Sequence, residues 1–139
     1  MIINCQRLTK GKTAAKQLTD KGLDIIFYQM DVSDQKSIDD TYDKIIQRFG
    51  RLDVLVNNAA ILYDTWQRAI DVDFEIVNQV FVTNLLGPWR LSKKFIPLMK
   101  KNRYGRIVNV SSSAGSLHFM GKGSPAYSIS KTALNALAN

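Results

Sequence analysis

Tyr127 and Lys131 stand four residues apart in the run Gly123-Ser124-Pro125-Ala126-Tyr127-Ser128-Ile129-Ser130-Lys131. Residues at that spacing share one face of a helix. A phenol beside an ammonium is an acid–base pair, because the cation favours the phenolate. Such a tyrosine can give or take a proton at a carbonyl or alcohol oxygen. Taken alone, the same spacing also describes a solvated helix face. The elements that would have to hold the pair therefore carry the weight.

Four short apolar runs alternate with helical patterns. Met1–Cys5 reads as a strand, and Thr9–Lys21 as a helix with Ala14, Ala15 and Leu18 on one side and Gly22 as its stop. Ile25–Met30 reads as the second strand. Ser33 is a candidate cap for a helix whose stripe is Ile38, Tyr42, Ile45, Ile46 and Phe49, ending at Gly50. Asp53–Val56 is the third strand and runs into Asn57-Asn58-Ala59-Ala60. A loop through Asp64 and Trp66 leads to a long helical pattern over Asp73–Lys101. Arg106–Val110 is the fourth strand, followed by Ser111-Ser112-Ser113-Ala114-Gly115. The last helix opens at Pro125 with Ser124 as the expected N-cap. Nearly continuous apolar strands between helices mean an α/β fold, a doubly wound parallel sheet buried on both faces. In such sheets ligands bind at the carboxyl ends of the strands, where Asn57-Asn58 and Ser111-Ser112-Ser113 fall.

Composition narrows the function classes. At 139 residues the chain is at most one ordinary domain, and 45% apolar content is that of a globular protein. The net charge of +7 is spread along the chain, densest from Lys93 to Arg106, with no aromatic interleaving of the kind that binds nucleic acid. Cys5 and His118 are the only residues of their types, so neither an internal disulfide nor a His/Cys metal site is expected. No signal-peptide pattern or membrane-length apolar segment occurs, and a soluble cytoplasmic protein is expected, with no membrane partner.

In order along the chain, Asp53-Val54-Leu55-Val56-Asn57-Asn58-Ala59, Asn84-Leu85-Leu86-Gly87, Arg106-Ile107-Val108-Asn109-Val110-Ser111-Ser112 and Tyr127 through Lys131 resemble the short-chain dehydrogenase/reductase family. The resemblance implies a Rossmann-like fold and an oxidoreductase that moves a hydride between NAD(H) or NADP(H) and a small-molecule carbonyl or alcohol. By it, Tyr127 is the general acid/base and Lys131 its cationic neighbour, which also bonds the nicotinamide ribose. Ser112 orients the carbonyl, with Ser111 as the near alternative. Asn84 holds a relay water on its main-chain carbonyl. Pro88, four residues on, has no N–H, which frees that carbonyl and should kink the helix; a simple proline kink is the other reading. Pro97 should disturb the same helix near Lys93.

For the cofactor, the resemblance implies Asn58 and Ala59 in the turn after the third strand, where Ala60 replaces the family's glycine. Asp31 matches an aspartate beside the adenine, or is a turn residue before Ser33. The first strand ends in Cys5-Gln6-Arg7 with no acid, so Arg7 would face a 2′-phosphate and NADP is expected, NAD remaining possible. The family's Thr-Gly-x-x-x-Gly-x-Gly turn is not in this sequence. By resemblance Met1 falls at the family's second strand and Asn139 inside the helix of Tyr127. Residues 1–139 would then be a partial Rossmann-type domain, without the family's first strand and C-terminal strands. Such a chain is expected to split its strands into two halves and to be marginal, aggregation-prone or a homo-oligomer paired through its long helices. The competing function is a non-catalytic remnant or interaction module that has lost cofactor binding. Leu117, His118, Phe119 and Met120, with Tyr63 and Trp66, are expected to border an apolar substrate pocket, or to cover core; the substrate itself is not legible.

Overall fold

The computed structural model of the chain describes residues 1–119, 121 and 123–138. Two compact units divide it, Met1–Gly50 and Arg51–Asn139.

The first unit is a β–α–β–α run: β1 (Ile2–Cys5), α1 (Leu8–Thr19), β2 (Ile26–Gln29) and α2 (Gln35–Phe49). β1 and β2 pair in parallel, with Ile2 opposite Ile26 and Cys5 opposite Gln29. α1 lies close against β2 because Gly11 has no side chain; a Cβ there would stand 2.1 Å from the Phe27 ring. Gly22, at φ +83°, turns the chain after α1 in a conformation that glycine adopts freely. α2 buries Ile38 and Ile45 as its stripe requires, together with Thr41. Its cap is Asp34, not the expected Ser33. The Asp34 carboxyl accepts from Lys36 N and Ser37 N at 3.0 and 3.2 Å, while Ser33 gives its own N–H and hydroxyl to Asp31. A capping contact of this kind contributes roughly 0.5–2 kcal/mol.

The second unit contains β3 (Val54–Asn57), α3 (Phe74–Phe81), a π-helical turn (Val82–Leu86), α4 (Gly87–Lys101), β4 (Arg106–Asn109), a 3₁₀ turn (Ser113–Gly115) and α5 (Pro125–Leu137). β3 and β4 pair in parallel, Val56 opposite Val108 and Asn57 opposite Asn109. The four strands thus form two separate two-stranded sheets rather than one. Val80, Leu91, Phe95, Met99 and Leu134 make the core of this unit. Contrary to expectation, one face of β3–β4 is open: Val54, Val56 and Val108 are 48%, 54% and 47% exposed. An apolar run reports what a face can bury, and among the described residues of this unit nothing covers this one.

The long helical stretch is discontinuous where Pro88 foretells. Its irregularity is a π turn, closed by Gly87 N–H onto the Val82 carbonyl, with Pro88 in the first turn of α4. At Pro97 the expectation fails, since α4 runs unbroken from Gly87 to Lys101. Lys93 and Pro97 are both exposed, so water can take the carbonyl that Pro97 leaves without a donor.

Candidate active site

Tyr127 and Lys131 lie on one face of α5, with Lys131 Nζ 5.7 Å from the Tyr127 ring centroid. Lys131 is only 2% exposed. Its ammonium donates to the Val110 carbonyl at 2.7 Å, just beyond β4, and so ties α5 to the carboxyl end of that strand. Burial pushes the Lys131 ammonium below its ordinary pKa. Tyr127 is half-buried, and among the described residues its hydroxyl has no hydrogen-bond partner.

Ser112 is brought to this helix by a close approach. A Cβ on Gly115 would stand 2.8 Å from the Lys131 backbone carbon, so only glycine lets the 3₁₀ turn lie this near α5. The Gly115 carbonyl then accepts from Thr132 Oγ1 and Asn135 Nδ2 at 3.1 and 3.2 Å. Ser112 caps the turn by accepting from Ala114 N at 3.2 Å, a contact that leaves its own O–H to donate. Ser111 points its hydroxyl to the Lys131 carbonyl at 3.5 Å.

Asn84 sits in the middle of the π turn and is fully buried. Its side chain clasps Ile61 from both sides, accepting from Ile61 N at 2.9 Å and donating to Ile61 O at 3.0 Å, and it also donates to Ser130 Oγ at 3.1 Å. The side chain is therefore engaged in holding the loop after β3, and only the main-chain carbonyl is left for any relay.

The loop after β3 supplies a residue that the sequence does not single out. Asp64, wholly buried, accepts from Ala126 N at 2.6 Å and Tyr127 N at 3.3 Å, and so caps α5 from sixty-two residues away. The expected cap, Ser124, instead donates to the Gly123 carbonyl at 2.6 Å. No local pattern signals a partner that distant. Asn58 and Ala59 are exposed just past β3, and Asn57 Nδ2 donates to Asn109 Oδ1 at 2.8 Å across the sheet. Ala60 is accommodated without strain: among the described residues only Trp66 and Arg103 take a positive φ without being glycine.

Two clefts adjoin these elements. One of about 490 Å³, lined by Met99, Arg103, Tyr104 and Arg106, opens at the amino end of β4, away from the chemistry. A smaller one of about 170 Å³ is lined by Thr65, Trp66, Ala114, Gly123, Ser124 and Ser128, beside the Ser112 turn and the start of α5. Neither Tyr127 nor Ser112 is among the residues that line it. Leu117 and Phe119 are exposed, and His118 packs edge-on to Phe119 at 4.7 Å; Met120 lies outside the described residues.

The remaining predicted residues belong to the first unit. Arg7 precedes α1, is exposed, and among the described residues has no side-chain partner. Burial raises the Asp31 carboxyl pKa, but hydrogen bonds from the Ser33 hydroxyl, the Ser33 N–H and Gln6 outweigh it and leave Asp31 below its ordinary value. Its Oδ1 is thus engaged in the turn that leads to α2, and its Oδ2 accepts from Gln6, just beyond β1. Among the described residues, no helix is long and apolar enough to cross a membrane.

A family profile described as short chain dehydrogenase matches residues 1–139. The chain is 35% identical to (+)-neomenthol dehydrogenase from Arabidopsis thaliana, over 76% of this chain and 41% of that protein. It is 36% identical to carbonyl reductase 1 (NADPH) from Sus scrofa, over 83% of this chain and 38% of that one. The structure of an NAD+-bound xylitol dehydrogenase superposes with a TM-score of 0.88 at 28% identity, covering 98% of this chain and 51% of that chain. The chain thus spans about half the length of the relatives it matches or less.

Proposed function

The chain belongs to the short-chain dehydrogenase family, and from that premise we propose that it carries the proton-transfer corner of an oxidoreductase interconverting a carbonyl and an alcohol with NADP(H). The observation that supports this most is the arrangement on α5: Tyr127 and Lys131 on one face, with the Ser112 turn held against them by the close approach at Gly115. In the reductive direction, Tyr127 gives its hydroxyl proton to the substrate oxygen. Ser112 donates a hydrogen bond to the same oxygen and holds it near the phenol. Lys131 offsets the negative charge that the departing proton leaves on Tyr127. The Asn84 carbonyl, denied its usual donor by Pro88, holds a water that returns the proton.

The residues fit a nicotinamide nucleotide at one end. An ammonium has three donors, and the Val110 carbonyl occupies one on Lys131, leaving others for a ribose hydroxyl. Asn58 and Ala59 lie exposed at the carboxyl end of β3, where such ligands sit. Arg7, without a partner among the described residues, would take a 2′-phosphate, in keeping with the NADPH named for the carbonyl reductase. Bound NADP(H) supplies or accepts the hydride at the substrate carbon. Asp31 has one oxygen in its own turn and the other on Gln6, which favours its turn role over adenine contact. Self-association through α4 and α5 is in keeping with exposed Trp89, Ile96 and Ile129.

Residues 1–139 hold no glycine-rich turn for the diphosphate, and the second reading is a remnant or interaction module without cofactor binding. Titrating the chain with NADPH and following its fluorescence separates the two. Saturable binding below millimolar concentration supports the enzyme; no binding at millimolar NADPH sinks the enzyme reading for residues 1–139.

A further inference from the structure

We propose that Asp64 is a positioning residue for Tyr127: it closes a ring of hydrogen bonds that fixes the first turn of α5 relative to Asn84. The inference rests on Tyr127 being the acid/base. The ring starts at Asn84, whose side chain holds Ile61 by both backbone groups. Leu62 and Tyr63 lead from Ile61 to Asp64, which accepts from the N–H groups of Ala126 and Tyr127. In the same turn Ser130 Oγ donates to the Tyr127 carbonyl at 2.7 Å and accepts from Asn84 Nδ2 at 3.1 Å, which returns the path to Asn84. Asp64, Asn84 and Ser130 are each 0% exposed.

A requirement for helix stability alone does not explain this choice. α2 and α3 are capped by Asp34 and Asp73, each exposed and next to the helix it caps. For α5 the adjacent Ser124 is an ordinary cap residue, yet it is turned away. The chain instead buries a carboxyl from a distant loop, and its second oxygen, Oδ1, has no partner among the described residues. Burying a carboxyl so incompletely satisfied is costly. What the distant cap provides, and a local one would not, is a fixed relation between α5, the loop after β3 and the π turn. Proton transfer needs that relation, since a misplacement of about 1 Å can cost roughly 100-fold in rate.

The test compares Asp64→Ala, Asp64→Asn, Ser130→Ala and the Asp64→Ala/Ser130→Ala pair with wild type, and with Phe95→Leu as a destabilised control in α4. For Asp64→Ala, kcat is expected to fall about 100-fold with NADPH affinity and carbonyl KM nearly unchanged. Asp64→Asn, which keeps an acceptor oxygen, should recover most of that loss. Because the two side chains share one ring, the double variant should be much less impaired than the product of the singles predicts. Amide hydrogen exchange gives a readout that needs no turnover: in Asp64→Ala, Ala126 and Tyr127 should lose protection while β3 and β4 keep theirs. An unchanged kcat, a loss equal to that of Phe95→Leu, multiplicative single effects or a uniform loss of protection would each overturn the proposal. If wild type turns over no carbonyl with NADPH, the proposed function fails, and the exchange pattern alone then decides whether Asp64 positions this turn.

Discussion

Among the described residues, Met1–Gly50 buries one polar side chain, Thr41, whereas Arg51–Asn139 buries Asn57, Asp64, Asn84, Ser128, Ser130 and Lys131. Burying a polar group is unfavourable unless its partners are placed for it. In the first unit the polar contacts are mostly local and exposed, such as Lys16 with Asp20 and Lys36 with Asp40 along one helix. Pairs like these decide little. In the second unit the contacts span the chain, from Ile61 to Asn84, Asp64 to Tyr127 and Val110 to Lys131. The first unit is built as a packed layer, and the second fixes polar groups in position. Chemistry is to be expected where positioning has been bought with desolvation.

Breaking polar groups in the second unit should therefore cost activity, while breaking them in the first should cost little. The largest effect is expected from Tyr127→Phe, which removes the proposed proton donor and should lower turnover by up to about 10⁴-fold with NADPH affinity nearly unchanged. Next comes Lys131→Met, with turnover down on the order of 10²-fold. Its stability effect has the opposite sign. Because burial lowers the folded-state pKa of Lys131 below its ordinary value of 10.5, the unfolded chain holds a proton that the folded one has released in that window. Stability from this group therefore rises with pH up to 10.5. Thermal melts of Lys131→Met should show an unchanged or higher midpoint at neutral pH and lose that alkaline rise.

The first unit should respond more weakly. Arg7→Ala should raise the dissociation constant for NADPH roughly tenfold and leave that for NADH unchanged, as one charge-assisted contact to a phosphate would; equal weakening of both would remove Arg7 from the site. The smallest effect is expected for Asp31→Asn. The folded-state pKa of Asp31 lies below its ordinary 3.8, so its contribution is present above 3.8 and is lost as pH falls through the lowered value. Asp31→Asn should lower stability slightly at neutral pH and move the acid-unfolding midpoint slightly to higher pH, the two curves converging below the lowered pKa.

The two units also differ in how much of them the sequence discloses. Strands and helices are legible in both, because apolar runs, the Ile38–Ile45 stripe and the stops at Gly22 and Gly50 are local signals. Capping in the first unit is legible to within one residue, Asp34 for Ser33. In the second, Tyr127 and Lys131 are picked out by type and spacing, Ser112 and Asn84 by the family resemblance, and Pro88 marks the helix irregularity. Asp64 is not visible, since a carboxyl that caps a helix sixty-two residues later resembles any loop aspartate. The closeness of Gly115 to Lys131 is hidden for the same reason: it arises from two segments meeting, and neither segment carries the other's signature. The open valine face of β3–β4 is the converse case, an apolar signal with no cover among the described residues of its unit.

The central claim, that the Tyr127–Lys131 corner serves hydride exchange at a carbonyl, is met most directly by an isotope experiment. The chain would be incubated with carbonyl substrates and NADPH deuterated on the transferring carbon, and the product alcohol analysed by mass spectrometry. The account predicts deuterium on the carbinol carbon with wild type and none above background with Tyr127→Phe. Alcohol carrying no deuterium, no alcohol at all, or equal labelling with Tyr127→Phe would contradict it.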